Sequence, residues 1–583
     1  MSSRLRRVAR AGVLVAAVAL PLVAAAVQAR RELAPEGIGV DDAFIFLRYG
    51  RNLAHGLGWV WNPGGPAVEG ATSTLWTLAA AAGFRLTSDP SDLLFGASLT
   101  LVVLALALWL AALLGPEGGR TAAGGTTSLA LLALAVGLDL AARPAFAVWT
   151  AASLMDGGLW CAATLVAAAT LARAARDSAG TRPLLLASSA QVALALARPE
   201  AMLVGPALVA AAALASRRPL RSWLAPIGAA AAAQLGLLIW RLTTFGWALP
   251  NTYYAKVGGD LADRLRGGLE YLTAAVLDDP SHLLVWSLAA GVLARAIRAR
   301  RRAWQGPPDG LDPGPALAAT VALLAPAIVL AVGGDHFGGQ RVLVQLRPFE
   351  STLVAAWILG LARRRTSERR ARALVASALA AGAGLSYALA TPRWGDLART
   401  TRLEVEFTVA RVWLGFGHEL DRLFADAPRP PTAGVITAGA LPFVYRGPSL
   451  DLMGLNDPAM AHASRRRVGV YGHAAFSPAV FFERPPDLVL VVPPRCATDP
   501  LDGSFSRFLF RNVLAGLHRD EVFRSRFRHV RLFDPTRNGI ELCTFARVAW
   551  LDSGASGARW EELAEPLPTP LHAPAPAAPV PTR

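Results

Sequence analysis

Apolar runs of about bilayer length recur along the chain, at roughly residues 8–27, 93–115, 126–142, 157–173, 183–216, 222–243, 277–296, 314–332, 348–362 and 371–390, with a shorter one at 73–87. An α-helix needs about 20 such residues to cross the hydrocarbon core. The chain has 583 residues, 53% apolar and 17% charged, with a mean hydropathy of +0.38. That is more apolar surface than one soluble core buries, and it predicts a mainly α, multi-pass transmembrane bundle of roughly 11–13 helices.

The net charge of +16 does not point to nucleic acid, because the basic residues sit in short connectors with no interleaved stacking aromatics. Clusters at Arg4–Arg10, Arg217–Arg221, Arg295–Arg302 and Arg363–Arg372 read instead as cytoplasmic loops, with the N-terminus inside. Residues 1–29 also fit the outline of a cleaved signal peptide, but the many spans that follow favour an uncleaved first helix. Twelve crossings would return the C-terminus to the inside, whereas the basic loops put everything after residue 390 outside. One segment is therefore miscounted, either 73–87 or the pair within 183–216.

These readings divide the chain into a transmembrane part (1–390, with a first outer loop at 30–72), an extracytoplasmic α/β domain (391–563) and a Pro/Ala-rich tail expected to be disordered (564–583). Within the second part, GVITAG, PDLVLVVPP and IELCTFARVAW read as strands, and 398–424 as a helix. Cys161 reads as a core residue, and Cys496 and Cys543 as a possible bridge.

Between the first two apolar runs lies DDAFIFLRYGRNLAHGLGWVWNPGGPAVEGATSTLW. On a helix, at about 100° per residue, Asp41, Asp42, Arg48, Tyr49, Arg51, Asn52 and His55 gather on one side, which predicts an interfacial helix. Asp41 suits a capping role and a pairing with Arg48, leaving Asp42 as the freer base. Trp59 and Trp61 read as membrane anchors rather than sugar platforms. Asp156, Arg198, Glu200, Lys256, Asp335, His336 and Arg341 recur at the outer ends of apolar runs, where unpaired charge is costly, and so outline a polar chamber.

These stretches, with SLMDGGLW, LARPE, FGWALPNTYYAK, GGDHFGGQR, LDLMGLNDP and GHAAFSP, resemble the membrane glycosyltransferases of the GT-C fold, in particular the family of the mycobacterial terminal arabinofuranosyltransferase. The resemblance implies an inverting enzyme of the cytoplasmic (inner) membrane. It would move a sugar, a pentofuranose among the candidates, from a polyprenyl-phosphate donor to an envelope glycan or glycolipid on the outer face. It places Asp42 and Asp41 on the catalytic acid pair and Lys256 and Arg341 at the donor phosphate, where the charge of Arg198 makes it a further candidate. Arg48, Tyr49, Glu69, Asn251, Tyr254, Asp335 and His336 are the further substrate-binding candidates. SLMDGG departs from the relatives' SGLET, which weakens a role for Asp156. No cofactor is expected; a divalent cation held by the two Asp and a third acid is compatible with the residues, though no ligand spacing predicts one. The alternative is a non-catalytic GT-C-like factor for envelope assembly or flagellar motility. A transporter would show paired broken helices in two related halves, and no such symmetry is visible.

Overall fold

The computed structural model describes residues 3–113, 124–177, 180–257, 261–303, 312–363, 370, 374, 377, 403–463, 475–491, 509–536, 540–554 and 557–563. The expected run at 371–390, Cys496 and the tail at 564–583 lie outside the described residues, apart from two positions in that run.

Helices occupy the apolar runs: α1 (Ser3–Leu33), α2 (Asp41–Ala54), α3 (Thr74–Leu86), α4 (Ser91–Leu113), α5 (Gly124–Ala141), α6 (Gly157–Arg176), α7 (Arg182–Ala197), α8 (Ala201–Leu214), α9 (Leu224–Thr244), α10 (Asn251–Lys256), α11 (Leu261–Asp278), α12 (Ser281–Ala303), α13 (Pro313–Val332) and α14 (Arg347–Arg363). The protein is a multi-pass membrane protein. Among the described residues six helices are long and apolar enough to cross a membrane, or seven if Leu129–Ala141 and Pro144–Ala152, bent by 91°, form one span. The expected 11–13 also counted shorter elements, namely α3 with 13 residues, α7 with 16, α8 with 14 and α14 with 17. In two of the long spans, Leu220–Thr244 and Ser281–Arg301, only 22% of the apolar window is buried, so most of their surface is left for lipid.

Two polar ends bound the bundle. At one, Arg176 reaches the carbonyls of Ala112 and Leu113 and pairs with Asp312, while Arg300 donates to the Ser216 carbonyl at 3.1 Å. At the other, Arg30 near the end of α1 pairs with Asp92 at the start of α4. The chain therefore enters and leaves the α2–α3 segment at the same end. The amphipathic α11 keeps to that end too, since Arg264 reaches the Ala331 carbonyl and Asp278 accepts from Gln340. Arg347 at the start of α14 also belongs there, through Asp279, and Leu403 packs back against Gly339.

Beyond residue 402 come α15 (Leu403–Leu423), α16 (Ala440–Val444) and a six-stranded mixed sheet. Its strands are β1 (Ala433–Val435), β2 (Ser449–Asp451), β3 (Leu488–Leu490), β4 (Phe527–Phe533), β5 (Glu541–Arg547) and β6 (Arg559–Glu562), in the order β2-β1-β3-β5-β4-β6. The parallel trio β2-β1-β3 joins an antiparallel trio through β3–β5. The three expected strands are β1, β3 and β5. One apolar core runs from the end of α1 through α2 into α15 and the sheet. This merging makes α2 a buried strut: Phe44, Ile45, Phe46 and Leu47 are all buried, and so are the polar Asp41, Arg48, Tyr49 and Asn52. The expected interfacial helix with one wet face is thereby corrected, because the sheet-bearing segment takes Asp41, Tyr49 and Arg51 while the loop at 60–62 takes Arg48 and Asn52.

Candidate functional site

The two adjacent carboxylates part at once, as a separation of about 100° requires. Asp41 is 7% exposed and accepts from the backbone N–H groups of Gly439 (3.1 Å) and Ala440 (2.8 Å). A Cβ at position 439 would overlap the Asp41 carbonyl, so that contact needs glycine. Asp41 thus ties α2 to the start of α16. It does not pair with Arg48, which donates instead to the Trp61 carbonyl (2.6 Å) and to Asn62 Oδ1 (3.1 Å). Burial, opposed by the Ala440 N–H and reinforced by the charge of Asp42, pushes the Asp41 carboxyl up to about 7.

Asp42 faces a different set of groups. Its Oδ2 lies 3.4 Å from Lys256 Nζ at the end of α10, and the two side chains keep 20% and 29% of their surface open. Lys256 also sits 5.9 Å from the centre of the Phe337 ring, which carries the Arg341 guanidinium at 4.1 Å. Arg341 pairs with Asp335 at 2.7 Å, and His336 Nδ1 lies 3.4 Å from the same carboxylate. Burial pushes Asp335 up, but Arg341, His336 and Lys256 overcome it and hold the carboxyl below its ordinary value. The loop before Arg341 is rich in left-handed backbone, with Gly333, Gly334, Gly339 and the non-glycine Gln340 all at positive φ. Gln340 is held there by Asp278.

A second group adjoins the first. Arg198 Nη1 donates to both oxygens of Asp156, each at 2.9 Å, while Nε and Nη2 fork onto Glu200, the shorter contact at 2.7 Å. Arg198, Glu200, Arg341, Gln345 and Trp160 line one small cavity, so Arg341 borders both groups. The structure therefore brings Asp42, Lys256, Arg341, Asp335, His336, Asp156, Arg198 and Glu200 to one end of the bundle.

Other candidates are held in contacts within the protein. Tyr49 donates to Asn456 Oδ1 and accepts from the Gly70 N–H, and burial keeps its phenol neutral well above the ordinary value. Glu69 is bidentate to Arg241, at 2.8 and 3.0 Å. Asn251 donates to the carbonyls of Gly454 and Leu455, and the Tyr254 ring lies 4.2 Å from that of His462. Arg48, Tyr49, Glu69 and Asn251 are at most 3% exposed and join the loop after α2, α10 and residues 454–462. Trp61, expected as a membrane anchor, is 2% exposed beneath Arg48, and Trp59 packs edge-on against Trp240. Asp41, Asp42 and Glu69 turn to different partners. Among the described residues no group of three or more His, Cys, Asp or Glu is placed to hold a metal ion.

Two sets of residues escape sequence reasoning. Glu406 on α15 faces Asp42, Asp41, Arg341 and Asp335, and burial together with the charge of Asp42 lifts it to about 7. Arg143, Asp279, His282, Arg347, Glu350, Asp139 and Ser351 form one network, of which His282, Arg347, Glu350 and Ser351 are buried, with Arg347–Asp279 at 3.1 Å and His282–Glu350 at 3.2 Å. The bend before Pro144 brings Arg143 to it.

Residues 400–542 match a family model described as a domain of unknown function (DUF8728). No curated protein matches the chain. Among solved structures, the chain is similar to the archaeal oligosaccharyltransferase AglB from Archaeoglobus fulgidus in complex with an inhibitory peptide and a dolichol-phosphate (13% identity, 91% of this chain and 74% of that chain covered, TM-score 0.45). It is also similar to the A. fulgidus oligosaccharyltransferase with Zn and sulfate (14%, 91% and 73%, TM-score 0.44) and to its apo form (11%, 91% and 74%, TM-score 0.45).

Proposed function

We propose that this protein is a GT-C-type membrane glycosyltransferase that uses a polyprenyl-phosphate-linked sugar and an envelope glycan or glycolipid acceptor at the outer face of the cytoplasmic membrane. On this reading the N-terminus is cytoplasmic and the sheet-bearing domain (391–563) is extracytoplasmic. The observation that carries the reading is the long, partly open contact between Asp42 and Lys256, next to Arg341 and at the end of apolar helices.

The contact couples binding to catalysis. Arg341 and Arg198 are already held at 2.7 Å by acids, whereas Lys256 is held at 3.4 Å, so the lysine is the cation that a donor phosphate takes over most readily. Doing so takes the Lys256 contact away from Asp42. Its carboxylate accepts the proton of the acceptor hydroxyl as that oxygen attacks the anomeric carbon, while the bond from that carbon to the phosphate oxygen breaks. The electron pair leaves with the phosphate, and Lys256 and Arg341 stabilise the charge. Incubating the purified protein with labelled polyprenyl-phosphate sugars and envelope glycolipids, and comparing envelope glycans of a deletion strain by mass spectrometry, tests this directly. Labelled product is expected, together with loss of a glycan in the strain; neither appearing would overturn the reading.

A non-catalytic envelope or motility factor is the second reading. One observation favours it: each cation of the site already has an acid partner within the protein.

A further inference from the structure

A cavity of about 310 Å³ opens between the loop after α2 and the sheet-bearing segment, lined by Trp61, Asn62, Thr432, Ser449, Asp457 and Arg484 among others, with four prolines on its walls. It is removed from the charged site. Asp42 and Arg48 are six residues apart on α2, a rise of about 9 Å, and Arg48 bonds the carbonyl of Trp61.

The polar atoms here are incompletely used. Trp61 Nε1 and Ser449 Oγ are buried without a hydrogen-bond partner, on residues that are 2% and 4% exposed. Buried donors in that state are costly unless something else satisfies them. Asp457 spends one oxygen on the Met460 N–H and on Arg484, which leaves its second oxygen and part of the guanidinium fork open. A carboxylate beside a guanidinium accepts from one hydroxyl and donates to its neighbour, and rigid proline rings offer apolar faces to C–H groups. Free phosphate is disfavoured, since the arginine is already neutralised by Asp457. An extended peptide is disfavoured too. β2 is an edge strand, but Asn62 occupies that edge by bonding both the N–H and the C=O of Ser449.

We propose that this cavity is a subsite for a neutral polyhydroxylated chain, the acceptor glycan, gripping it a few sugar units away from the hydroxyl that reacts near Asp42. The proposal rests on the glycosyltransfer reading but is tested apart from it. Binding of soluble linear oligosaccharides built from arabinofuranose, mannose, rhamnose or galactofuranose is measured by calorimetry on the full chain in micelles, without donor. At least one should bind, and Ser449→Ala and Arg484→Ala should each weaken it about tenfold, with unchanged thermal unfolding. If no oligosaccharide binds, or if both variants bind like the wild type, the subsite is overturned. Either result beside intact sugar transfer removes the subsite alone; subsite binding in a protein that transfers no sugar removes the enzymatic reading alone.

Discussion

Replacing Asp41 with Asn leaves one acceptor oxygen where there were two, so either the Gly439 or the Ala440 N–H loses its partner. An orphaned buried donor costs about 1–3 kcal/mol. Charge acts in the opposite sense. Burial lifts the Asp41 carboxyl from 3.8 to about 7, so the folded protein holds this proton more tightly than the unfolded chain does. A group raised in this way contributes stability that is fully present below its unfolded value and is lost as pH climbs through the folded one. At about 1.36 kcal/mol per pKa unit, the rise from 3.8 to about 7 is worth at most about 4 kcal/mol. Asn does not titrate. The wild type should therefore be the more stable protein at about pH 4, by about 1–3 kcal/mol. Its advantage should shrink by about 1.4 kcal/mol per pH unit above pH 4, reverse between about pH 5 and pH 6, and level off above about pH 7. Denaturant unfolding of both proteins in micelles across that range reads the difference, and curves that stay parallel refute the assignment of a protonated, buried Asp41.

Glu69→Gln should cost about 3–5 kcal/mol, because it strands the buried Arg241 guanidinium, and adding Arg241→Met should restore part of the loss in thermal unfolding. Loss of activity without loss of stability would make Glu69 a substrate contact instead. Lys256→Met should raise the donor concentration needed for half-maximal rate by about 1.5 to 3.5 orders of magnitude, about 2–5 kcal/mol for a charge desolvated by the bound phosphate, and move the unfolding midpoint little, since Lys256 is partly open. A reporter that is active only outside the cytoplasm, fused after residue 402, should be active; cytoplasmic activity would invert the proposed orientation.

The bundle was legible because lipid leaves one signal, a long apolar run, and because charges at span ends stand out against it. Asp156 with Arg198, and Asp42 with Lys256, could be grouped by their recurrence on one side, although 214 residues separate the second pair. The partner of Asp41 could not be read. It is a pair of backbone N–H groups nearly four hundred residues away, and backbone donors carry no sequence signature. The same distance hid part of the burial of α2, since Asp41, Tyr49 and Arg51 reach residues 439–456, while Arg48 and Asn52 turn to the nearer residues 60–62. Glu406 lies in a helix whose pattern speaks only of amphipathicity. Short strands such as β2, three residues long, fall below what alternation can reveal.

The most direct test is transfer of labelled sugar from a polyprenyl-phosphate donor by purified wild-type and Asp42→Asn proteins, side by side with their thermal unfolding. The wild type should transfer. The variant should unfold at the same temperature and lose about 10²- to 10⁴-fold in rate, as expected for removal of a general base. An Asp42→Asn protein that transfers sugar at the wild-type rate would contradict the role of Asp42 in the proposed site.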